Sequence, residues 1–162
     1  MWRVEYPIAR QGTLVAMAGL VEAIRISPEH EKLPEPVESV DVTGEGLPGD
    51  RYFGRGDITL VEAEALEDFR DDTGIELSHA EIRRQVLTRG VRLNDLVGKR
   101  FRVGEVEAVG AEWCEPCNHI ESITYPGVLK GMVHRAGLRA DIVQPGRIAV
   151  GDEVDELTDA AA

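Results

Sequence analysis

The stretch Phe101-Arg102-Val103-Gly104-Glu105-Val106-Glu107-Ala108-Val109 reads as two short strands around a central glycine. Apolar and polar residues alternate on both sides of Gly104, as they do in strands that bury one face. Because glycine is typical of the turn between such strands, the stretch predicts a β-hairpin. Comparable short segments predict further strands at residues 21–26, 37–42, 58–61, 140–143 and 148–150, the last two paired through a turn at 144–146.

Helical patterns are confined to a few segments of the chain. Apolar residues recur with helical spacing at residues 62–71 and 128–138. Ser78 followed by Glu81 is a capping-box pattern, which predicts a short helix up to about Arg84. Many short strands, two or three helices and no regular alternation of strand and helix favour a mainly β fold, a closed β-barrel with peripheral helices. We expect one domain over residues 1–162, with a core at about 19–155 and a frayed tail at about 158–162.

The composition restricts the partners of this protein. Its net charge is −12, from 30 acidic and 18 basic residues, and such a surface repels the phosphates of nucleic acid. There is no apolar run of the ~18 residues that a membrane helix needs. The first residues lack the continuous apolar region of a signal peptide. We therefore expect a cytoplasmic protein without nucleic-acid or membrane partners.

Both cysteines of the chain lie in the segment Gly110-Ala-Glu-Trp-Cys114-Glu-Pro-Cys117-Asn-His119. The string resembles a thioredoxin active site and allows a thiol–disulfide oxidoreductase that uses Cys114 and Cys117, although it lies late in the chain and no sustained helical pattern follows. A structural zinc site with His119 and His134 is a second hypothesis, although the spacing matches no standard zinc module. Two buried, chemically inert cysteines are a third.

Several short motifs follow one another in a fixed order over more than half of the chain. They are Gly46-Leu-Pro-Gly-Asp-Arg51, Ile82-Arg-Arg-Gln-Val86, Gly90-Val-Arg-Leu-Asn94, Leu96-Val-Gly-Lys-Arg-Phe101, Val103-Gly104, Cys114-x-x-Cys117 and Gly146-Arg-Ile-Ala-Val-Gly-Asp152. Their order and spacing resemble the MOSC domain, which is named for the C-terminal domain of molybdenum cofactor sulfurases. The resemblance implies a β-barrel like that of pyruvate kinase, here as a stand-alone domain.

The resemblance also implies a function. Several MOSC domains bind a molybdenum-pterin cofactor, and they act in sulfur carriage or in the reduction of N-hydroxylated compounds. The resemblance makes Cys117 the catalytic cysteine and molybdenum ligand, since single-cysteine members place that residue after a proline. A thiolate is also chemically suited to molybdenum and to sulfane sulfur. The partners expected are a small-molecule substrate and either a sulfur donor or a redox partner protein; pyridoxal phosphate is not expected in this chain.

Four residues are the candidates for holding the cofactor. Adjacent Arg83 and Arg84 could bind the phosphate of a pterin, and Arg51 in the glycine-rich loop at residues 43–56 could add a third positive charge. Gln85 stands where the family segment commonly has asparagine. If one anionic cofactor touches them, Arg51, Arg83 and Cys117 should lie together in one cleft.

Overall fold

The computed structural model describes residues 19–158. The predictions about residues 1–18 and about the tail after Thr158 lie outside this range, and the extent of the domain over the whole chain stays a prediction. The strands are β1 (Gly19–Ile26), β2 (Glu35–Val37), β3 (Ser39–Val42), β4 (Asp57–Glu62), β5 (Val86–Arg89), β6 (Arg100–Val103), β7 (Val106–Trp113), β8 (Leu138–Gln144), β9 (Gly146–Ala149) and β10 (Glu153–Glu156). The helices are α1 (Ala63–Thr73), α2 (His79–Ile82), α3 (Asn118–Ser122) and α4 (Val128–Gly131), and a 3₁₀ turn spans Leu93–Leu96.

Seven of these strands close into a barrel, in the order β10-β6-β7-β8-β4-β5-β1. The barrel closes where β1 pairs with β10, at Gly19 opposite Val154. Strands β4 and β5 run parallel, with α1 and α2 in the connection between them, and the other neighbours in the barrel are antiparallel. The predicted closed β-barrel is confirmed, with four short helices in place of two or three. Among the described residues, no helix is long and apolar enough to cross a membrane.

The hairpin predicted from residues 101–109 is present as β6 and β7, which pair Phe101 with Ala108. Phe101, Val103, Val106 and Ala108 are fully buried, whereas Arg102 between them is exposed. One face of the hairpin therefore fills the barrel, as the alternation predicts. Strand β7 continues past the predicted end to Trp113. The cysteine segment therefore begins directly after a barrel strand.

A second cluster of buried side chains lies between the helices and the outside of the barrel. Phe69 of α1 packs there with Leu77, Ile82, Val128 and Met132. The helix predicted at 62–71 is confirmed with small shifts at both ends, since it begins at Ala63 and ends at Thr73. This cluster fixes α2 and α4, and with them the segments on either side of the cysteines, against the barrel wall.

Two predictions about strands are wrong. The strand predicted at 37–42 is two strands with different partners: β2 pairs with β1, and β3 pairs with β9. The predicted pairing of 140–143 with 148–150 does not occur. Strand β8 already has β7 on one edge and β4 on the other, so that no edge is left for β9.

The helix predicted at 128–138 is also wrong, because α4 ends at Gly131. His134 has a left-handed backbone, with φ of 62°, and its N–H donates to Oε1 of Glu115 at 2.8 Å instead of to a helical carbonyl. Gly137 then approaches the barrel so closely that a Cβ there would lie 2.2 Å from the Leu60 carbonyl oxygen. Contacts with the rest of the fold override the local helical pattern.

Candidate functional site

A cavity of about 150 Å³ is lined by four of the predicted site residues, Arg51, Arg83, Arg84 and Cys117. Arg51 comes from the glycine-rich loop, Arg83 from the end of α2, and Cys117 from the segment between β7 and α3. Tyr52, Glu115 and His119 also line the cavity. The convergence expected of one cleft is therefore observed.

The end of α2 positions Arg83. Ser78 and Glu81 form the predicted capping box, in which Ser78 Oγ accepts from the Glu81 N–H at 3.1 Å and the Ser78 N–H donates to Glu81 Oε1 at 3.0 Å. The helix ends at Ile82, two residues earlier than predicted, because Arg83 has a left-handed backbone with φ of 62°. A left-handed non-glycine residue costs about 1–2 kcal/mol, so the surrounding structure must hold it there.

The guanidinium groups of Arg83 and Arg51 retain unused donors. Nε and Nη1 of Arg83 and Nε of Arg51 are buried and have no hydrogen-bond partner among the described residues. Burial first, and then the charge of Arg51, lower the pKa of Arg83, although a guanidinium stays charged. Neither Arg51 nor Arg83 forms an ion pair with another residue in the described range 19–158, so the two guanidinium groups create a site suited to an anion.

Tyr52 fixes the position of Arg51 in the cavity. Nη2 of Arg51 donates to the Tyr52 hydroxyl at 2.8 Å, and its guanidinium carbon lies 4.5 Å from the centre of the Tyr52 ring. The guanidinium of Arg55 lies 4.3 Å from the same ring centre. Both guanidinium groups therefore contact the tyrosine ring, and this contact orients them. The sequence indicates a role for Tyr52 only through its position next to Arg51 in a long glycine-rich loop.

Gln85 does not line the cavity, although the sequence makes it a candidate for cofactor binding. Its side chain is buried, with Nε2 donating to Asp50 Oδ2 at 3.0 Å and Oε1 accepting from the Thr59 N–H at 2.9 Å. Asp50 also accepts from the backbone N–H groups of Ser27, at 2.7 Å, and Tyr52, at 3.1 Å. Gln85 therefore anchors the loop from which Arg51 and Tyr52 project.

Arg84 lines the cavity, but its nitrogens donate to three backbone carbonyls. Nε donates to Ala136 at 2.8 Å, Nη1 to Ile82 at 3.3 Å and Nη2 to Cys114 at 3.2 Å. The side chain thus ties α2, the cysteine segment and the chain before β8 to one another. Its predicted contact with a cofactor stays a prediction.

The two cysteines have different surroundings. Cys117 is exposed, immediately precedes α3 and lines the cavity, whereas Cys114 is half-buried and lies outside the cavity lining. Burial raises the pKa of Cys114. Both thiols are free, and the buried Pro116 separates them. The sequence does not predict α3, which is only five residues long.

The histidines near the cysteines do not assemble a metal site. Among residues 19–158, no group of three or more His, Cys, Asp or Glu side chains is arranged to hold a metal ion, so the zinc hypothesis gains no support. Nδ1 of His134 pairs with Glu115 Oε2 at 2.9 Å, and its ring lies 4.8 Å from that of Trp113. His119 lines the cavity, and its ring centre is 5.5 Å from that of His30.

A wider groove adjoins the cavity. Its volume is about 850 Å³, and Arg83 and His119 line both spaces. The remaining wall includes Leu33 and Ile123, which are exposed apolar side chains. The groove therefore offers space for a small organic molecule beside the cavity that Cys117 lines.

Comparison with known proteins supports this architecture. A family model described as "MOSC domain" matches residues 50–155. The YuaD protein from Bacillus subtilis superposes with a TM-score of 0.77 at 17% identity, over 86% of this chain and 96% of that one. YiiM from Geobacillus stearothermophilus gives 0.71 at 14% identity, over 89% and 77% of the two chains. YiiM from Escherichia coli gives 0.65 at 15% identity, over 88% and 72%. At such identities these similarities bear on the fold alone, and no curated protein matches the chain significantly.

Proposed function

The chain belongs to the MOSC domain family, and we propose that it binds a molybdenum-pterin cofactor in the cavity between Arg51, Arg83 and Cys117. The observation that carries the proposal is a positively charged cavity in a protein whose net charge is −12. Arg51 and Arg83 line it, and three of their guanidinium nitrogens have no hydrogen-bond partner among residues 19–158. The oxygens of a phosphate would accept from the two guanidinium groups and offset the repulsion between them.

The residues present fit such a group in charge and in donor type. The inner cavity of about 150 Å³ is too small for a whole pterin cofactor, but the adjoining groove adds about 850 Å³. Arg83 borders both spaces and would contact the cofactor from either. The exposed thiol of Cys117 would supply a soft sulfur ligand for molybdenum.

We assign the sulfur chemistry to Cys117. In sulfur carriage, its thiolate would attack the terminal sulfur of a donor persulfide, so that Cys117 gains that sulfur and the donor leaves as a thiolate. In the alternative activity, an N-hydroxylated compound would enter through the groove, a redox partner protein would supply two electrons and the solvent two protons. The N–O bond would break, and its oxygen would leave as water. When bound, the cofactor would supply a redox-active metal at which an oxygen or sulfur atom is exchanged. Arg51 and Arg83 would hold the anionic end of the cofactor in either case.

Thiol–disulfide exchange between Cys114 and Cys117 has less support. Such exchange needs an attacking and a resolving thiol, both able to reach the thiolate form and the partner. Cys114 is half-buried, has a raised pKa and does not line the cavity. Labelling with a persulfide-specific reagent after incubation with a sulfane sulfur donor separates the two functions. Sulfur carriage predicts label on Cys117 that survives Cys114→Ser, whereas a dithiol mechanism predicts that either serine variant abolishes the reaction.

Retention of pterin by an arginine variant tests the anion site directly. The protein would be made in a host that synthesises the cofactor, and bound pterin would be measured by fluorescence after oxidation. Arg83→Asn removes the guanidinium, while asparagine tolerates the left-handed backbone at this position. Loss of charged hydrogen bonds should weaken binding by about tenfold or more. Arg102→Asn is the control, because Arg102 is exposed and does not line the cavity. Equal pterin in both variants, or none in the unchanged protein, would refute the proposal.

A further inference from the structure

The backbone at Arg83 is the strained point of the candidate cofactor site. Its φ is 62°, and its side chain lines both the small cavity and the adjoining groove. A residue with a Cβ occupies the left-handed region at a cost in energy, so contacts with neighbouring groups must hold it there. The direction of the Arg83 side chain therefore depends on what fixes the turn at the end of α2.

His79 makes two hydrogen bonds across this turn. Its backbone carbonyl accepts from the Arg83 N–H at 3.2 Å. Its ring Nε2 lies 2.7 Å from the carbonyl oxygen of Arg84. Because a carbonyl only accepts, Nε2 carries the proton and donates it to that bond. One residue thus holds the N–H of Arg83 on one side and the carbonyl of the next residue on the other.

The chain after the turn is fixed to the barrel. The Gln85 N–H donates to Thr59 Oγ1 at 3.0 Å, and the Gln85 carbonyl accepts from the Arg25 N–H at 2.8 Å. Gln85 therefore has little freedom to move. The carbonyl of Arg84, which lies between α2 and this fixed residue, then depends on the donor from His79 for its place.

The imidazole of His79 supplies this donor from inside the protein. The residue is only 8% exposed, and burial lowers its pKa to about 4, so the ring is neutral at neutral pH and has a single N–H. Its other nitrogen, Nδ1, is buried without a hydrogen-bond partner among residues 19–158. An apolar side chain would fill the same space without leaving an acceptor unpaired. The bond to the Arg84 carbonyl is therefore what the histidine adds.

We propose that His79 is a positioning residue of the anion site, which holds Arg83 in its left-handed conformation through the bond to the Arg84 carbonyl. Without that bond, Arg83 would relax out of the left-handed region, and the change in φ would turn its guanidinium away from Arg51. His79 itself does not line the cavity and does not touch the anion. The inference rests on the anion site of the proposed function, but not on which anion occupies that site.

Titration of the isotopically labelled protein with inorganic phosphate, in a buffer free of phosphate, tests this proposal. Backbone amide signals of residues 51–52 and 117–119 report binding in the cavity. His79→Leu removes the ring donor and keeps an apolar side chain, and it should weaken phosphate binding about tenfold or more through the loss of a charged hydrogen bond from Arg83. His79→Gln keeps an N–H donor on a side chain of similar reach and should restore most of the affinity.

Two controls separate positioning from a general loss of stability. Phe69→Leu alters a buried side chain of the helix cluster that also contains Ile82, without removing a donor from the turn, and it should leave phosphate affinity unchanged. Adding His79→Leu to Arg83→Asn should cause no further loss of affinity, because His79 acts through the Arg83 guanidinium. A merely structural role predicts a loss in both backgrounds and no rescue by glutamine.

Four results would overturn the proposal. They are no saturable phosphate binding by the native protein, unchanged affinity in His79→Leu, no rescue in His79→Gln, and a further loss in the double variant. The amide spectrum reports folding, and if His79→Leu does not fold, His79→Asn takes its place, because its shorter amide does not reach the Arg84 carbonyl. Phosphate binding that depends on His79 supports this inference even if the purified protein holds no pterin. Pterin retention with phosphate affinity unchanged in His79→Leu would refute this inference alone.

Discussion

Replacing Gln85 with glutamate puts a carboxyl group in place of the buried amide that anchors the glycine-rich loop of the candidate site. In the native protein, Nε2 of Gln85 donates to Asp50 Oδ2 at 3.0 Å. An ionised glutamate there would place two carboxylates against each other in a buried position, so Gln85→Glu should keep its proton in the folded state. The protonated side chain can still donate to Asp50. Oε1 can still accept from the Thr59 N–H.

The size of the effect follows from the pKa of the new carboxyl group. In the folded state this pKa is raised above the unfolded value of about 4.3, so the variant should match the native protein in stability below about pH 4. Its stability should then fall as the pH rises, until the pH reaches the folded-state pKa. From pH 4.3 to pH 7 there are about 2.7 pH units, each worth about 1.36 kcal/mol, so the largest loss from this source at pH 7 is about 3.7 kcal/mol.

The assay is urea unfolding of the native protein and of Gln85→Glu from about pH 4 to pH 8. Asn118→Asp, another change from an amide to an acid, is the control because Asn118 is exposed, and its effect should stay within about 0.5 kcal/mol. A difference in stability between Gln85→Glu and the native protein that does not change with pH would refute the reasoning. It would mean that Gln85 and Asp50 do not share a buried hydrogen bond.

Two further predictions follow from the fold and from the cysteines. Gly137→Ala should lower the free energy of unfolding by about 2–4 kcal/mol, because its backbone has φ of 121° and the added Cβ would lie 2.2 Å from the Leu60 carbonyl oxygen. Gly44→Ala is the control and should not lower the free energy of unfolding by this amount, because a Cβ there would meet nothing within 4 Å. Equal melting temperatures of the two variants would contradict this account. Alkylation by iodoacetamide at about pH 8 should modify Cys117 before Cys114, since Cys117 is exposed and burial raises the pKa of Cys114. Peptide mass spectrometry measures the order, and equal rates would refute the difference in environment.

Local patterns predict the parts of this fold whose structure depends on neighbouring residues. The hairpin at residues 101–109 alternates buried and exposed side chains in both strands, and the Ser78–Glu81 capping box forms as its spacing indicates. The helix at 62–71 is likewise visible because its apolar face packs on one side of the barrel. In each case the local preference and the tertiary environment favour the same conformation.

Predictions failed where distant contacts decide the structure. Residues 37–42 alternate like one strand, but their two halves pair with β1 and β9, and no local pattern encodes a change of partner. The helical spacing at 128–138 is interrupted because His134 bonds to Glu115 instead. The convergence of Arg51, Arg83 and Cys117 was predictable only through the family motifs, since periodicity does not relate such distant residues.

Gln85 illustrates the limit of sequence-based prediction at the candidate site. The sequence places it in a family motif beside two arginines, which suggests contact with the cofactor. The structure turns its side chain towards Asp50 and Thr59 instead, because the residue precedes β5 and packs beneath the glycine-rich loop. Arg83, two residues earlier, lines the cavity and has a left-handed backbone. A motif thus identifies the segment, whereas the backbone decides which side chain reaches the ligand.

The molybdenum content of the purified protein and its two cysteine variants tests the central claim most directly. Protein from a host that synthesises the cofactor would be analysed by inductively coupled plasma mass spectrometry, with folding checked by thermal melting. We expect near-stoichiometric molybdenum in the unchanged protein and in Cys114→Ser, and little in Cys117→Ser, because a serine oxygen is a poor substitute for a soft thiolate. Absence of molybdenum from the unchanged protein, or equal loss from both folded variants, would contradict the assignment of Cys117 as the ligand.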